Sequence, residues 1–300
     1  MSNSTVFSQL SDACASVVAH SAGAIVQVLG RPRHPASGVL IAPERVVTTS
    51  HSVAWEEHLA ITIDGRRHDA TIAGRDPRTD LILLRVPGLS AGTLPTADAP
   101  PATGSLALVV GRTWGGHVTA RLTTITQVTG PVRLGWGRSL DSVLGLDVGP
   151  YQGFSGSAVI LPDGRLAALA TAGLVRGAGL GVPASLMQTT LDALERDGSV
   201  RRGFLGITSQ PVTVPEAQRG GSAYAAGLLV ISVAPDAPAA KAGVLVGDIL
   251  VAVDGDAIGD PEDLLARLTA ERVGSPARLA LVRGTSLVET TAAVGERPAH

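Results

Sequence analysis

Cysteine is nearly absent from the sequence, which limits what can hold the fold together. Cys14 is the only cysteine among 300 residues, so an intramolecular disulfide and a thiolate zinc cage are both excluded. Burial of apolar side chains must therefore stabilise the fold, and an apolar share of 45% supplies enough of them.

The chain also has no excess of basic residues over acidic ones, and it has few aromatic residues. Lys and Arg total 24 against 26 Asp and Glu, and aromatic residues make up 3% of the chain. Nucleic-acid binding needs a basic surface, and a base-stacking platform needs aromatic rings. We therefore expect no nucleic-acid partner and no polybasic contact with a membrane surface.

Long apolar runs and a leader-like N terminus are missing too. No stretch reaches the roughly 18 uninterrupted apolar residues of a membrane span. The N-terminal segment MSNSTVFSQLSDACASVVAHS lacks the basic portion and the continuous apolar core of a secretory signal. We therefore expect a cytoplasmic chain, with a periplasmic or other extracytoplasmic location as the alternative if a leader was removed.

Short apolar runs separated by turn signals dominate the chain as far as Ala184. Residues 5–20 carry the apolar spacing of a helix, and two sets of strand candidates follow between 24–86 and 105–172. They predict two packed barrels or sandwiches. Residues 185–196 predict an amphipathic helix that ends at Asp197-Gly198, and 201–296 form a second unit of strands and two short helices.

Three polar residues stand out in a fixed chain order. His51 follows a strand, Asp80 opens another strand further along, and Ser155 lies in Gly-Phe-Ser-Gly well beyond Asp80. Each alone has a plainer explanation, as a surface histidine, a turn aspartate or an ordinary glycine turn. Together they match the hydroxyl, base and orienting acid of nucleophilic acyl transfer, in the order of the chymotrypsin class.

The segments around these residues resemble the HtrA/DegP family of trypsin-fold serine proteases, over about residues 20–296. The matching segments are SGVLIAPERVVTTSHSV, GFSGSAVILPDGRLAALATAG, RRGFLGITSQ and APAAKAGVLVGDILVAVDG. The resemblance implies a mostly β fold, with two six-stranded antiparallel β-barrels (chymotrypsin-like) and one C-terminal α+β PDZ domain. It divides the chain into an N-terminal helical extension at 1–22, a protease domain at 23–184, a linker helix at 185–200 and a PDZ domain at 201–296.

The resemblance also implies roles for individual residues. Ser155 is the nucleophile, His51 is the general base and Asp80 orients His51. The implied oxyanion hole is formed by the N–H groups of Gly153 and Ser155, the substrate strand by Thr171, Ala172 and Gly173, and the PDZ carboxylate loop by Gly203, Phe204, Leu205, Gly206 and Ile207. Leu265 and Leu268 would line the PDZ pocket, while the alternative for the loop is a plain core strand.

Three positions depart from related patterns. Phe154 replaces an aspartate of digestive relatives, so activation through a freshly cut N terminus is not expected. Ser157 replaces a glycine, and we expect its Cβ to crowd the packing beneath the oxyanion loop. Gly149 stands where a trypsin-like pocket holds an acid, so we expect small or medium apolar side chains at P1, the substrate residue before the cleaved bond.

The implied function is an ATP-independent serine endopeptidase that cleaves unfolded or C-terminally tagged proteins in bacterial protein quality control. The alternative is a catalytically latent protease-fold scaffold or chaperone that acts through PDZ peptide binding. The resemblance implies a homo-oligomer, of trimeric size. We expect no cofactor and no metal, because the histidines lack paired ligand spacing.

Overall fold

Two compact units divide the chain, Met1–Val200 and Arg201–His300. The computed structural model describes residues 5–31, 34–54, 58–134, 138–199 and 203–296. Across these described ranges, no helix is long and apolar enough to cross a membrane.

The first unit opens with the predicted helix, α1 (Val6–Ser21). The Thr5 side chain accepts a backbone N–H of the first turn and so caps the helix. Cys14, Val17 and Val18 pack against the core of the unit, which confirms the apolar face seen in the sequence. Elsewhere in the described ranges, short 3₁₀ turns lie at Ala22–Ala24, Ser50–Ser52, Trp114–Gly116, Glu216–Gln218 and Ala270–Arg272.

The first sheet has seven antiparallel strands rather than the predicted six. They are β1 (Ile25–Leu29), β2 (Ala36–Ala42), β3 (Arg45–Thr49), β4 (Ala60–Ile63), β5 (Arg66–Asp69), β6 (Thr71–Asp76) and β7 (Leu81–Arg85), in the spatial order β5-β4-β1-β2-β3-β7-β6. Ala70 alone separates β5 from β6, although these strands form opposite edges of the sheet. The sheet must therefore curl until its edges meet at Ala70.

The second sheet confirms the predicted closed barrel of six strands. The strands that follow in the chain are β8 (Leu106–Arg112), β9 (Val118–Thr129), β10 (Val132–Leu134), β11 (Arg138–Leu140), β12 (Val143–Leu146), β13 (Ala158–Ile160), β14 (Leu166–Thr171) and β15 (Leu180–Pro183). The barrel order is β12-β15-β14-β13-β8-β9, and β10 pairs only with β11. β15 forms although its glycine and proline carry little strand propensity, because β12 and β14 pair with it on both sides.

Helix α2 (Ala184–Asp197) follows the barrel and packs on both sheets' shared core. Met187, Leu191 and Leu194 are buried in that core. The helix ends at Gly198, whose φ of 71° and N–H bond to the Leu194 carbonyl form a left-handed C-cap, as the Asp-Gly signal predicts.

The second unit is built on a six-stranded antiparallel sheet with two short helices. Its elements are β16 (Gly203–Phe204), β17 (Ile207–Thr213), β18 (Ala226–Val233), α3 (Pro238–Lys241), β19 (Ile249–Val253), β20 (Asp256–Ala257), α4 (Pro261–Arg267), β21 (Pro276–Arg283), β22 (Ser286–Ala293) and β23 (Gly295–Glu296). The order is β17-β18-β19-β21-β22, with β20 beside β19 and β16 paired with β23. β17 is thus an edge strand, with one side open to a further strand.

An ion pair between the buried Asp248, just before β19, and the partly exposed Arg283 ties β19 to the end of β21. The Asp248 carboxylate, 2% exposed, accepts two hydrogen bonds from Arg283 and one from the Leu245 N–H, each at 2.8 Å. Burial opposes ionisation of Asp248, but these hydrogen bonds and the guanidinium charge outweigh it and hold the pKa of the carboxyl below its ordinary value.

We predict that Asp248→Asn makes the second unit less stable, and that its effect depends on pH. A lowered folded-state pKa contributes stability that is present above the unfolded pKa and is lost as pH falls through the folded value, below about pH 4. The unfolding midpoint of the variant should be lower than wild type by more than about 4 °C at pH 7, with the difference shrinking below pH 4. The exposed pair Arg267–Asp256 supplies the control, Asp256→Asn, which should change little. A difference that stays constant from pH 7 to pH 3 would contradict the role of the Asp248 charge.

Candidate active site

Strand register brings His51 and Asp80 together. β3 and β7 pair so that Thr49 faces Leu81, and the Ser50 N–H donates to the Asp80 carbonyl at 2.8 Å. The turn after β3 and the turn before β7 therefore meet, although the two side chains are far apart in the chain. Asp80 itself has a φ of 60°, a left-handed conformation that Asp tolerates better than most residues.

The Asp80 carboxylate holds His51 from two directions. Oδ1 accepts the His51 backbone N–H at 2.9 Å, and Oδ2 lies 2.7 Å from His51 Nδ1. Asp80 is 4% exposed and the His51 side chain is 33% exposed. Because a carboxylate only accepts hydrogen bonds, Nδ1 carries the proton and Nε2 keeps a lone pair that can accept one.

Thr171 and Gly173, predicted to lie along the substrate, also hold this pair in place. The Thr171 hydroxyl donates to Asp80 Oδ2 at 2.5 Å and accepts the Gly173 N–H at 2.9 Å. A side chain on Gly173 would collide with the pair, since its Cβ would lie 2.6 Å from Asp80 Oδ2. The sequence predicts that Thr171 lies along the substrate, but it does not reveal the hydrogen bond from the Thr171 hydroxyl to Asp80. The reason is that the order of residues along the chain does not show that the end of β14 lies beside the turn before β7.

Ser155 lies in the loop between β12 and β13, which hydrogen bonds tie down on both sides. The Ser37 N–H donates to the Ser155 carbonyl at 2.9 Å, and the Gly156 N–H donates to the Ala170 carbonyl at 2.8 Å. The Phe154 carbonyl accepts the Ser157 N–H at 3.0 Å. Because a trans peptide directs its C=O and N–H to opposite sides, the Ser155 N–H points away from Ser157.

Ser155 and His51 line one cavity of about 280 Å³, together with Ser52 and Gly153. Ser155 Oγ accepts the Ala172 N–H at 3.3 Å, and His51 Nε2 lies 3.4 Å from Ser52 Oγ. Within the described part of the chain, no hydrogen bond joins Nε2 to Ser155 Oγ. Ser155 and His51 thus line the same cavity.

Ser157 does not crowd the loop as the sequence suggested. Its side chain is fully buried, and its hydroxyl donates to the Gly153 carbonyl at 2.7 Å. The space comes from Gly111 on the facing strand β8, where a Cβ would collide with Ser157 Oγ.

Phe154 fills the position of the aspartate with apolar packing. It is 1% exposed and meets Tyr151 edge to face at 5.5 Å between ring centroids. Arg121 lies 4.0 Å from the centre of the Tyr151 ring. Burial raises the pKa of the Tyr151 phenol, against the opposing charge of Arg121, so the ring stays neutral.

In the second unit, the loop between β16 and β17 is fixed through its carbonyls. The Leu205 carbonyl accepts the Ala239 N–H at 2.8 Å, and the Gly206 carbonyl accepts the Ala234 N–H at 2.7 Å. The N–H groups of Gly206 and Ile207, on the opposite sides of these peptides, therefore point away from α3 and Ala234. Leu265 on α4 is only half-buried, while Leu268, the first residue after α4, is buried in the core.

Metal-binding clusters are not a feature of these sites. Among the described residues, no group of three His, Cys, Asp or Glu side chains lies close enough to hold a metal ion.

Known protein families match both units. Residues 36–169 match the trypsin-like peptidase domain, and residues 203–294 match the PDZ domain. A probable periplasmic serine endoprotease, DegP-like, from Rhizobium meliloti (strain 1021) is 32% identical over 89% of this chain and 54% of its own length. The serine endoprotease DegS of Escherichia coli (strain K12) is 28% identical over 85% of this chain and 74% of its own length. The chain thus spans about half the length of the DegP-like relatives it matches.

Solved structures extend the likeness to the whole fold. The HtrA-type protease AlgW with a decapeptide superposes with a TM-score of 0.77 at 25% identity, covering 95% of this chain and 99% of that one. A serine endoprotease from Yersinia pestis gives a TM-score of 0.76 at 25% identity, covering 95% and 98%.

The cytoplasmic location expected from the N-terminal sequence is wrong. The relatives from Rhizobium meliloti and Brucella suis are named periplasmic serine endoproteases. The expectation rested on the absence of a leader in the printed sequence, and such an absence carries no information about a processed chain.

We predict that Gly173→Ala disables the site without unfolding the chain. The added Cβ would displace the His51–Asp80 pair, and a displacement of about 1 Å can cost about 100-fold in rate. The measurement is the rate at which a fluorophosphonate labels Ser155, alongside the thermal midpoint. Gly92→Ala is the matched control, because a Cβ at Gly92 has no neighbour within 4 Å. Equal labelling rates in Gly173→Ala and wild type would show that the pair does not need this space.

Proposed function

Because this chain is an HtrA-type protein, with a trypsin-like peptidase domain followed by a PDZ domain, we propose that it is a serine endopeptidase. Its substrates are unfolded or C-terminally tagged proteins, and it cleaves them without ATP in periplasmic quality control. The observation that carries the proposal is the Asp80–His51 pair, which presents Nε2 to the cavity that also holds Ser155.

The mechanism follows from these positions. Ser155 Oγ attacks the scissile carbonyl carbon and passes its proton to His51 Nε2, while Asp80 stabilises the imidazolium. The N–H groups of Gly153 and Ser155 bind the oxyanion. The tetrahedral intermediate collapses as His51 protonates the leaving amine, and water then releases the acyl group from Ser155 by the same two proton transfers.

Substrate recognition at the peptidase site uses a strand and an apolar pocket. The backbone of Thr171, Ala172 and Gly173 pairs with the residues before the cleaved bond. Gly149 supplies no negative charge, and Phe154 and Ala172 belong to one apolar cluster beside Ser155. Small or medium apolar side chains therefore suit P1.

The PDZ unit binds a C-terminal peptide by strand addition to β17. Residues Gly203–Ile207 supply the carboxylate loop, where the N–H groups of Gly206 and Ile207 face away from the core, and β17 has an open edge. Leu265 on α4 supplies apolar contact. Leu268, buried in the core, supports the helix instead.

A latent state is the second candidate, and one observation favours it. In the part of the chain that the structure describes, Ser155 Oγ accepts the Ala172 N–H and makes no hydrogen bond to His51. A scaffold or chaperone that acts only through its PDZ unit would keep this arrangement permanently, whereas a regulated protease would leave it on activation.

Domain bounds and assembly stay proposals. We place the peptidase domain at 23–184 and the PDZ domain at 201–296, with the N-terminal extension at 1–22 and the linker helix at 185–200. A homo-oligomer, trimeric by resemblance, is compatible with the exposed Val6 and Phe7, which are 82% and 81% accessible at the start of α1.

We predict that wild type degrades casein or another unfolded protein and that Ser155→Ala does not. Loss of the nucleophile should lower the rate by at least about 10⁴-fold. Sequencing of the products should show apolar P1 residues, and fluorophosphonate should label wild type alone. Labelling without proteolysis would identify the latent enzyme, absence of labelling under any condition would support the scaffold, and Arg or Lys at P1 would contradict the apolar pocket.

We predict that the full chain binds peptides with an apolar C-terminal residue and a free carboxylate, and binds the C-terminally amidated peptides far more weakly. Leu265→Lys should weaken binding by roughly tenfold or more, because it places a charge where apolar contact is needed. Ala266→Lys, its exposed neighbour, is the matched control. Fluorescence titration with paired acid and amide peptides measures both effects, and equal affinity for the two forms would rule out carboxylate recognition.

A further inference from the structure

Two buried hydroxyls meet at one carbonyl oxygen beneath the loop that carries Ser155. Ser37 Oγ lies 2.6 Å and Ser157 Oγ 2.7 Å from the Gly153 carbonyl oxygen. Both serine residues are fully buried. Each hydroxyl has one proton, and these short distances assign both protons to Gly153. Ser37 Oγ in turn accepts the Arg112 N–H at 2.8 Å, which anchors it to β8.

This arrangement fixes the peptide that follows Gly153 on both of its sides. The carbonyl is held by the two serines, and the Phe154 N–H, which points the opposite way, donates to the Tyr151 carbonyl at 2.9 Å. The next two peptides are also held, through the Phe154 and Ser155 carbonyls. The peptide plane between Gly153 and Phe154 is therefore fixed. Relative to that plane, the φ of 82° at Gly153 sets the direction of the Gly153 N–H.

The surrounding strand leaves no space for a looser arrangement. A Cβ on Gly111 would lie 2.5 Å from Ser37 Oγ, and a Cβ on Gly153 would lie 2.5 Å from the Arg112 carbonyl. Two glycines on facing segments thus allow the loop and β8 to approach closely enough for the hydroxyls to reach Gly153.

We infer that Ser37 and Ser157 are positioning residues that hold the Gly153 carbonyl inward, so that the Gly153 and Ser155 N–H groups are set for the oxyanion before substrate arrives. The inference rests on the proposed endopeptidase function. In the resting chain the N–H groups for the oxyanion are therefore already in position. Activation then requires only that Ser155 Oγ leave the Ala172 N–H and form a hydrogen bond with His51.

The test compares Ser157→Ala, Ser157→Gly and Ser37→Ala in the full chain. Loss of one net hydrogen bond corresponds to about 2- to 12-fold, so kcat and the fluorophosphonate labelling rate should each fall by that factor while KM stays unchanged. The double variant Ser37→Ala/Ser157→Ala should lose more than either single variant. Ala and Gly at position 157 should behave alike, because both lack the hydroxyl. If Ala keeps wild-type rates and Gly does not, packing rather than hydrogen bonding explains Ser157, and the inference fails.

Ser21→Ala is the matched control, since Ser21 is also buried and its hydroxyl bonds a backbone carbonyl outside the site. It should leave kcat unchanged.

Hydrogen exchange at the Phe154 amide gives a second measurement that does not depend on activity. Exchange should be faster in Ser157→Ala than in wild type, and faster again in the double variant. Unchanged exchange in folded variants would overturn the inference even in an inactive chain. A wild type that is never labelled, but whose Phe154 amide responds as expected, would instead refute the proposed function and leave the positioning role intact.

Discussion

The hydrogen bonds between the Asp80 carboxylate and His51 are the contact on which the rest of the peptidase unit depends. The curled sheet supplies both residues through the pairing of β3 with β7. The closed barrel supplies the Thr171 hydroxyl, the bare backbone of Gly173 and Ser155. Neither sheet alone contains the complete proposed site, so the shared core between them sets its geometry. Small shifts between the sheets would separate His51 from Ser155 while leaving each sheet intact.

Most strands could be predicted because apolar alternation and turn residues are local signals. The C-cap of α2 was equally local, since Gly198 needs only its own left-handed backbone. What escaped prediction depends on partners distant in the chain. The bend at Ala70 becomes visible only once β5 and β6 are known to form opposite edges of one sheet. β15 is a strand because β12 and β14 flank it, although its own residues favour a turn.

The candidate site shows the same difference between features that local sequence signals reveal and features that depend on partners distant in the chain. His51, Asp80 and Ser155 were predicted as site residues because three reactive residue types stand in a meaningful order, and the structure brings two of them into direct contact. The hydroxyls of Thr171, Ser37 and Ser157 were not recognised, because a serine or threonine in a strand carries no mark of the partner it will meet. For Ser157 the sequence suggested the opposite effect, and Gly111, on a strand much earlier in the chain, explains the difference.

The left-handed backbone of Asp80 restricts how this position can evolve. Asn and Gly tolerate such a conformation, but neither carries a charge. Glu would carry the charge, but it lacks the short side chain that makes the conformation tolerable and places the carboxylate beside its own turn. One position must therefore satisfy a demand of chain geometry and a demand of acid chemistry, and aspartate alone meets both. Substitutions of Asp80 are therefore restricted both by the backbone conformation and by the need for a charge. An aspartate in the turn before β7 is for this reason an informative marker of the proposed site.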